Sequence, residues 1–282
     1  MNGNFDCIVT NPPFSVNLDN DTKKGIKSEF LFGTKKNSEN LFIERWYQLL
    51  KPNGRVGAVL PESVFDTTEN KYIRLFIYKY FKVKAVVSLP QLAFEPFTGT
   101  KTSLLFAQKK TKAEVEKWDE LWSNYSDEWS KLKTRCENLQ AIYFTGKKRE
   151  KLPSVKNLNE KDETAILTRM LKDYVEAGDK NLSPKELIKK YRDELKELCT
   201  YDNDTKDMFD FVNTWWVFGE VAKELNYKIF MAEAENIGYK RTTRSEKPAP
   251  NELYRVNEQG TVLVDDGINE SALDYLREVQ WD

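Results

Sequence analysis

The feature that most constrains this chain is a short apolar run that ends at two consecutive prolines. Phe5–Thr10 is followed by Asn11-Pro12-Pro13-Phe14, a pattern typical of a buried parallel strand that ends in a functional loop. Neither proline can pair in a sheet, and Pro12 pushes Asn11 towards an extended conformation. The pattern predicts a stiff loop that holds an amide beside an aromatic ring at the carboxyl end of a strand, where open α/β sheets place their chemistry.

The totals of the sequence limit the classes of function. With 44 Lys and Arg against 45 Asp and Glu in 282 residues, the net charge of -1 offers no global field for nucleic acid, so DNA contacts must come from local patches or a partner subunit. Histidine is absent, and the three cysteines are far apart, which argues against metal sites and disulfides. No apolar run approaches the roughly 20 residues of a membrane helix. We therefore expect a cytoplasmic chain without membrane contact.

Helical and strand patterns alternate through the first 110 residues. The predicted elements are a helix over 38–50, a strand over 55–60, a helix over 69–80 and strands over 83–89 and 102–108. Ser38 is the expected N-cap of the first helix, and the polar residues 19–37 predict a flexible loop before it. The last strand follows too closely for a helical crossover, so we expect it to be antiparallel. This order predicts an α/β fold with part of a doubly wound sheet.

An α-helical module is predicted after the sheet. Thr111–Glu114 has the capping-box pattern. Apolar residues then recur at alternating spacings of three and four, which predicts a long helix with a packed seam: Val115, Trp118, Trp122, Tyr125, Trp129, Leu132, Cys136 and Leu139. Further helices are predicted over 160–176, from Ser183-Pro184 onwards, and over 205–225.

The last residues predict a return to the sheet and an acidic tail. A strand is expected to begin at Ile229, and an amphipathic helix, which we interpret as a docking element, is expected within Asp265–Asp282. The chain is therefore divided into three predicted regions: 1–110 with the sheet, 111–225 with the helical module, and 226–282 with the returning strand, a basic patch and the tail.

Three segments resemble a known family of enzymes. Asn11-Pro12-Pro13-Phe14 resembles motif IV of the amino-methyltransferases that use S-adenosylmethionine, the (N/D/S)PP(Y/F/W) signature. Residues 49–61 and 94–106 resemble the helix–turn–strand and the motif VIII hairpin of adenine-specific DNA methyltransferases. The pattern, including residues 229–239, is similar to the modification (M) subunits of type I restriction systems. The resemblance covers residues 1–110 best and implies the motif IV to VIII half of a methyltransferase-like sheet.

The resemblance implies a role for each of several residues. The side-chain carbonyl of Asn11 and the backbone carbonyl of Pro12 would accept hydrogen bonds from the adenine N6 amine, and Pro13 would fix the loop. Phe14 would stack on the flipped base. The candidates for the other face of the base are Phe94 and Phe97, and the candidates for DNA-backbone contact are Lys101, Lys240, Arg241 and Arg244. The simpler alternatives are a turn with a capping asparagine, core aromatic residues and solvated surface cations.

The cofactor half of this family is not evident in the sequence. The family places a strand with a glycine-rich turn before motif IV, and no such turn is present before Asn11 or after any later predicted strand. We therefore expect the carboxyl-terminal part of a longer methyltransferase, in which S-adenosylmethionine binding depends on another segment. An exposed sheet edge is expected in its absence. The implied partners are duplex DNA, a specificity subunit, a restriction subunit, and a second copy bound through the sheet edge or the heptad helix.

Two alternatives remain open from the sequence alone. The chain can be a non-catalytic scaffold or assembly remnant of a methyltransferase. It can also keep the chemistry and act on a protein glutamine or an RNA base, since both present a planar nitrogen that an Asn-Pro-Pro-Phe loop can hold. A methylation assay on duplex DNA, RNA and peptide separates these possibilities.

Overall fold

The computed structural model describes residues 3–14, 16, 18–33, 38–241 and 245–281. The chain divides into two compact units, one formed by Met1–Val115 with Tyr227–Asp282 and the other by Glu116–Asn226. Within the described ranges, no helix is both long enough and apolar enough to span a membrane.

The first part of the chain alternates strands and helices. In chain order it contains β1 (Phe5–Thr10), α1 (Asn20–Ile26), α2 (Ser38–Leu49), β2 (Leu50–Pro61), α3 (Ser63–Asp66), α4 (Lys71–Tyr80), β3 (Phe81–Ser88) and β4 (Thr102–Lys109). The apolar stripe of α4 is buried as its spacing predicts, because Ile73, Phe76 and Ile77 all lie in the core.

The second unit is helical. It contains most of α5 (Lys112–Thr145), followed by α6 (Glu160–Met170), α7 (Pro184–Lys190), α8 (Arg192–Leu198), α9 (Lys206–Phe209) and α10 (Thr214–Glu224). Six of the eight predicted seam residues of α5 are buried, from Trp118 to Leu139. Both predicted caps are present, since Glu114 accepts from the Thr111 N–H (2.8 Å) and Ser183 forms a capping box with Glu186.

The chain then returns to the first unit. The returning elements are β5 (Phe230–Glu233), β6 (Ile237–Arg241), β7 (Glu246–Asn251) and α11 (Ala272–Arg277). The main sheet has the order β1-β2-β4-β3-β5, and β6 pairs with β7 in a separate two-stranded sheet. Strand β4 is antiparallel to both of its neighbours, whereas β1 is parallel to β2 and β3 is parallel to β5. The predicted α/β fold, the antiparallel strand and the returning strand are confirmed.

Both faces of the central strands are covered. Helices α2 and α4 contact β2 and β3, and the alternate residues Val56, Ala58 and Leu60 of β2 are buried. A second apolar cluster joins Val87 to Ala234 and Ala272, so the returning segment covers part of the sheet as well. This double coverage is typical of α/β proteins.

Strand β1 differs from its prediction, because it is not buried. Val9 is 85% exposed and Phe5 is 44% exposed. The physical reason is the topology: among the described residues β1 is the end strand of the sheet and pairs with β2 alone. Strand β1 therefore lies at the edge of the described sheet, although its apolar composition is typical of an internal strand.

The segment after the Asn-Pro-Pro-Phe loop also differs from its prediction. Residues 20–26 form α1 where a flexible loop was expected, because Asp19 caps the helix by accepting from the Asp21 and Thr22 N–H groups (2.9 and 2.8 Å). Ser38 is the first helical residue and not an N-cap. Residues 34–37 of the same predicted loop lie outside the described residues.

Three other boundaries differ from the sequence patterns. The predicted strand over 55–60 begins earlier, since β2 starts at Leu50, where β1 pairs Phe5 with Leu50 and then Cys7 with Arg55. Asn53 takes a φ of 63° within this strand, a conformation that asparagine tolerates better than most residues. Helix α6 ends at Met170, and the predicted helix over 205–225 is interrupted at Asp210, which has a φ of 60°.

Candidate active site

The site lies at one edge of the main sheet. The carboxyl ends of β1, β2, β3 and β5 meet there, together with the amino end of β4. The register places Pro61 opposite Thr102, and Ser88 opposite both Ser103 and Glu233. Because Thr10 is the last residue of β1, Asn11 begins the loop at this same edge. The topology thus provides the strand-end position that the sequence predicts for the chemistry.

The Asn11–Phe14 loop is held by hydrogen bonds from the start of α2 and is partly exposed to solvent. Pro12 is buried and Phe14 is half-buried, whereas Asn11 and Pro13 are exposed. The Ser38 hydroxyl donates to the Pro13 carbonyl (3.4 Å), and the Ser38 N–H donates to the Val16 carbonyl (3.2 Å). The start of α2 therefore holds the loop on both sides of Phe14, while the Asn11 amide stays accessible.

Phe14 and Phe94 contact each other directly. Their ring centroids are 5.9 Å apart with an interplanar angle of 80°, an edge-to-face arrangement that aromatic pairs favour. Phe97 lies in the same turn as Phe94, but it is 88% exposed. The structure thus brings Phe94 to the loop and leaves Phe97 in solvent, and the stacking of a base on these rings stays a prediction.

The turn that carries Phe94 is held by β6. Tyr239 donates its hydroxyl hydrogen to the Ala93 carbonyl (2.8 Å), and the Arg241 guanidinium donates to the Glu95 carbonyl. Within the turn, the Gln91 side-chain amide donates to the Gly99 carbonyl (2.8 Å). The β6–β7 sheet therefore positions the Phe94 turn, a role that sequence reasoning did not assign to it.

Three of the predicted DNA-backbone cations have described positions. Lys101 pairs with Glu233 (3.2 Å), and Arg241 pairs with Glu246 (2.7 Å). Lys240 is exposed on β6, and Arg244 lies outside the described residues. Because two of these cations already have carboxylate partners, phosphate would have to compete for them. Their contact with DNA stays a prediction.

A buried polar group behind the loop was missed by sequence reasoning. Glu39 and Asn40, at the start of α2, are 3% and 1% exposed, and the Asn40 amide donates to the Tyr72 hydroxyl of α4. Burial, and secondarily the Glu39 carboxylate, raise the pKa of Tyr72 well above its ordinary value, so the phenol stays neutral. The only sequence signal was polar residues at the buried end of an amphipathic helix.

A second pair that sequence reasoning missed lies at the same edge of the sheet. Glu62 follows β2, and its carboxylate accepts from the Ser103 hydroxyl (2.6 Å), while its N–H donates to the Lys101 carbonyl (2.9 Å). Ser103 and its neighbour Thr102 are fully buried. This link joins the ends of β2 and β4 and stiffens the floor of the site.

The buried Glu44 of α2 holds the segment that follows α1, at Leu31 and Phe32. Its buried carboxylate accepts from the Leu31 N–H (2.7 Å) and the Phe32 N–H (3.1 Å). Glu44→Gln places an amide NH2 against one of these donors, so we expect amide exchange at Leu31 and Phe32 to accelerate about tenfold, for a loss of about 1–2 kcal/mol. Hydrogen exchange followed by mass spectrometry measures this.

Glu29→Gln is the matched control for that prediction. Glu29 lies near Arg45 (3.6 Å) with its side chain 65% exposed, and exposed pairs contribute little. We expect unchanged exchange at Leu31 and Phe32 in this variant. Equal exchange rates in both variants would show that Glu44 does not hold the segment.

Among the described residues, the site edge has neither a cluster of metal ligands nor a glycine-rich turn. No group of three or more potential metal ligands clusters within the described ranges. The strands at the site edge end at Thr10, Pro61, Ser88 and Glu233, and no G-x-G turn follows any of them. The described residues at this edge do not form the glycine-rich turn that holds a nucleoside cofactor.

Comparison with known proteins provides relatives for most of the chain. The sequence model of the N-6 DNA methylase family matches residues 1–194. The type I restriction enzyme EcoEI methylase subunit from Escherichia coli is 25% identical over 214 residues, which are 72% of this chain and 43% of that protein. The chain thus spans less than half the length of this curated relative.

Solved structures with similar regions include two from type I systems. One comes from a study of complex assembly and conformational transition in a type I restriction–modification system. It is 31% identical over a match that covers 38% of this chain and 22% of that protein, with a TM-score of 0.34. The other, the M protein of the type I restriction enzyme EcoKI, is 24% identical, covers 39% and 22%, and has a TM-score of 0.32.

Proposed function

Because the chain belongs to the N-6 DNA methylase family, we propose that it provides the methyl-acceptor side of an adenine-N6 DNA methyltransferase, as part of a type I modification subunit. The observation that carries this proposal is the position of Asn11–Phe14 at the carboxyl end of β1, with Phe94 against Phe14. The similarity to the EcoEI methylase subunit supports it.

The chemistry needs what this loop offers. The lone pair of the adenine N6 amine is delocalised into the ring, so the nitrogen is a poor nucleophile. Acceptors for both amine hydrogens favour a tetrahedral nitrogen that can attack. We propose that the side-chain carbonyl of the exposed Asn11 and the backbone carbonyl of Pro12 accept these hydrogens. Phe14 supplies a face for the flipped base. No histidine or metal is needed for these roles.

The second part of the proposal concerns S-adenosylmethionine, the methyl donor of this enzyme class. We infer that its pocket is completed by a polypeptide segment that pairs with the free edge of β1. The support is that β1 has one sheet neighbour among the described residues and that Val9, next to the Asn-Pro-Pro-Phe loop, is 85% exposed. The unpaired backbone groups of such an apolar edge strand can form hydrogen bonds with a further strand.

The partners of the chain follow from the same proposal. Duplex DNA is the substrate, a specificity subunit reads its sequence, and a restriction subunit joins the assembly. This chain has a balanced total charge, so much of the phosphate attraction has to come from other subunits. The sequence predicts a second copy bound at the β1 edge or along α5. Because the cofactor segment takes the β1 edge in this proposal, we propose α5 for the second copy.

The proposal is tested on the native assembly. The chain is tagged at its chromosomal locus, the complex is isolated through the tag, and transfer of tritiated methyl from S-adenosylmethionine to duplex DNA, RNA and peptide is measured. We expect label on DNA, recovered as N6-methyladenine. Label on RNA or on peptide alone would replace DNA as the substrate, and no transfer to any of the three would favour a scaffold.

The cofactor part of the proposal has its own measurement. The purified chain alone is titrated with S-adenosylmethionine in a calorimeter, and the native complex is titrated in parallel. We expect binding by the complex and none by the chain alone. Binding of similar affinity by both would show that the pocket is built from residues of this chain.

A further inference from the structure

A short hairpin near the end of the first unit carries an exposed apolar face. Val256 and Val262 form an antiparallel bridge. Because side chains alternate along extended backbone, Tyr254 and Val264 lie on the same side as this pair. These four residues, the hairpin face, are 42%, 49%, 43% and 39% exposed in the order Tyr254, Val256, Val262 and Val264.

Hydrogen bonds and ion pairs tie the hairpin to the rest of its own unit. The Arg255 guanidinium, which alternates with the exposed residues, donates two hydrogen bonds to Asp266 (2.7 Å each) and one to the Ile268 carbonyl (2.8 Å). It also pairs with Asp274 of α11 (3.2 Å). The turn is closed because the Asn257 side chain accepts from the Thr261 N–H (2.8 Å). A preformed apolar surface loses little conformational entropy when a partner binds.

The segment that carries the hairpin face is acidic. Residues 252–281 contain seven acidic residues and two arginines, and no lysine. Arg255 pairs with Asp266 and Asp274, and Arg277 pairs with Asp265 (2.5 Å), so each arginine is offset by an aspartate and the segment keeps a net negative charge. Such a charge pattern repels the phosphates of nucleic acid and the headgroups of anionic membranes. It attracts a cationic protein segment instead.

We propose that the hairpin face binds an amphipathic helix of a protein partner, whose apolar stripe covers Tyr254, Val256, Val262 and Val264 and whose flanking lysines or arginines pair with acidic residues of this segment. Two residues along a strand extend about 7 Å, which two turns of a helix, about 11 Å long, cover. Four half-exposed apolar side chains form a patch on the order of a few hundred Å², a size often associated with function. The proposal does not depend on the methyl-transfer chemistry.

The test uses the full chain and a synthetic helical peptide with leucines at helical spacing and lysines on the flanks. Binding is followed by fluorescence anisotropy of the labelled peptide. We expect micromolar affinity that weakens as salt rises, and a loss of at least about tenfold in the double variant Val256→Thr/Val262→Thr, because two apolar contacts are removed. A peptide with glutamate in place of each lysine is expected to bind at least tenfold more weakly.

Two controls make the outcome decisive. Phe144→Ser removes a half-exposed aromatic side chain of α5 in the other unit, and we expect it to leave peptide binding unchanged. Circular dichroism verifies that each variant is folded. The proposal is overturned if the double variant binds as tightly as the wild-type chain, if the glutamate peptide binds equally well, or if the lysine peptide does not bind. It is also overturned if the double variant converts a dimer of this chain to a monomer, which would assign the face to a second copy.

Discussion

Replacing Asn11 by alanine is expected to reduce methyl transfer by the native complex by about 100-fold or more. The substitution removes the exposed side-chain carbonyl at the end of β1, which in our proposal accepts one amine hydrogen of the target base. Loss of one such acceptor in a water-excluded site costs about 2.7 kcal/mol or more of transition-state stabilisation. In cells that carry Asn11→Ala, the N6-methyladenine content of genomic DNA at the target sites should fall accordingly, which sequencing of native DNA measures.

The variant Asn11→Asp tests whether the side-chain oxygen acceptor matters more than the NH2 donor. Aspartate retains a carboxylate oxygen as acceptor and loses the NH2 donor, so we expect a smaller loss than for alanine. Asn124→Ala, at an exposed position of α5, is the matched control and should keep full activity. The amount of tagged chain in each strain shows whether the variant accumulates. Full methylation in the Asn11→Ala strain would exclude the proposed acceptor role.

The family and the site loop were predictable from the sequence because they depend on local chemistry. Two prolines after an apolar run specify a stiff loop whatever the rest of the chain does. The resemblance to adenine-specific methyltransferases of type I modification subunits is confirmed by the match over residues 1–194 and by the EcoEI methylase subunit. The roles of the individual site residues all stay predictions: Asn11, Pro12, Pro13, Phe14, Phe94, Phe97, Lys101, Lys240, Arg241 and Arg244.

The positions that sequence reasoning missed depend on contacts between distant residues. The apolar pattern of β1 predicts burial, but the pattern does not reveal that β1 ends the described sheet, so the exposure of Val9 could not be foreseen. Likewise, the support of the Phe94 turn by Tyr239 joins residues 146 positions apart. Helix α1 is a different case, because Asp19 was a visible capping signal that the polar composition of 19–37 obscured.

The acidic tail makes several contacts with its own unit that composition alone does not reveal. The sequence predicts a docking element in Asp265–Asp282, and this use stays a prediction. Residues 265–270 are exposed, whereas Ser271, Ala272 and Asp274 are buried. Tyr275 stacks on Phe230 with centroids 5.8 Å apart, and the buried Lys84 ammonium donates to the Gln280 carbonyl (2.5 Å). The exposed apolar surface lies just before it, on the hairpin at 254–264. The segment that carries this surface has a net negative charge.

The largest effect on stability is expected at Glu220, in the second unit. The Glu220 carboxylate is buried and pairs with Arg169 (2.6 Å), Lys172 (2.7 Å) and Lys223 (2.9 Å). Glu220→Gln keeps the shape of the side chain but leaves the buried Lys172 without its counter-ion. Breaking a buried ion pair on one side costs about 3–5 kcal/mol, so we expect the free energy of unfolding to fall by about that amount. Five of the seven tryptophans lie in this unit, so tryptophan fluorescence during denaturation measures the change.

Glu120→Gln is the matched control, because Glu120 is a surface residue that pairs only with Lys117 (3.1 Å) among the described residues, and its side chain is 62% exposed. Exposed pairs of this kind contribute about 0–1 kcal/mol. We expect little change in the unfolding free energy of this variant. A similar loss in both variants would mean that the ion pairs of Glu220 do not stabilise the unit.

The pH dependence provides an independent test of Glu220. Burial of its carboxyl raises the pKa, but hydrogen bonds from Lys172, Lys223 and Arg169 outweigh this effect and lower the pKa to about 2. The folded pKa is thus below the ordinary value of 4.5, so the stabilisation is complete above pH 4.5 and is lost as pH falls towards 2. We therefore expect the difference in unfolding free energy between the wild-type chain and Glu220→Gln to be constant above that value and to shrink over this window. A difference that stays constant down to pH 2 would exclude the ionised carboxylate as its cause.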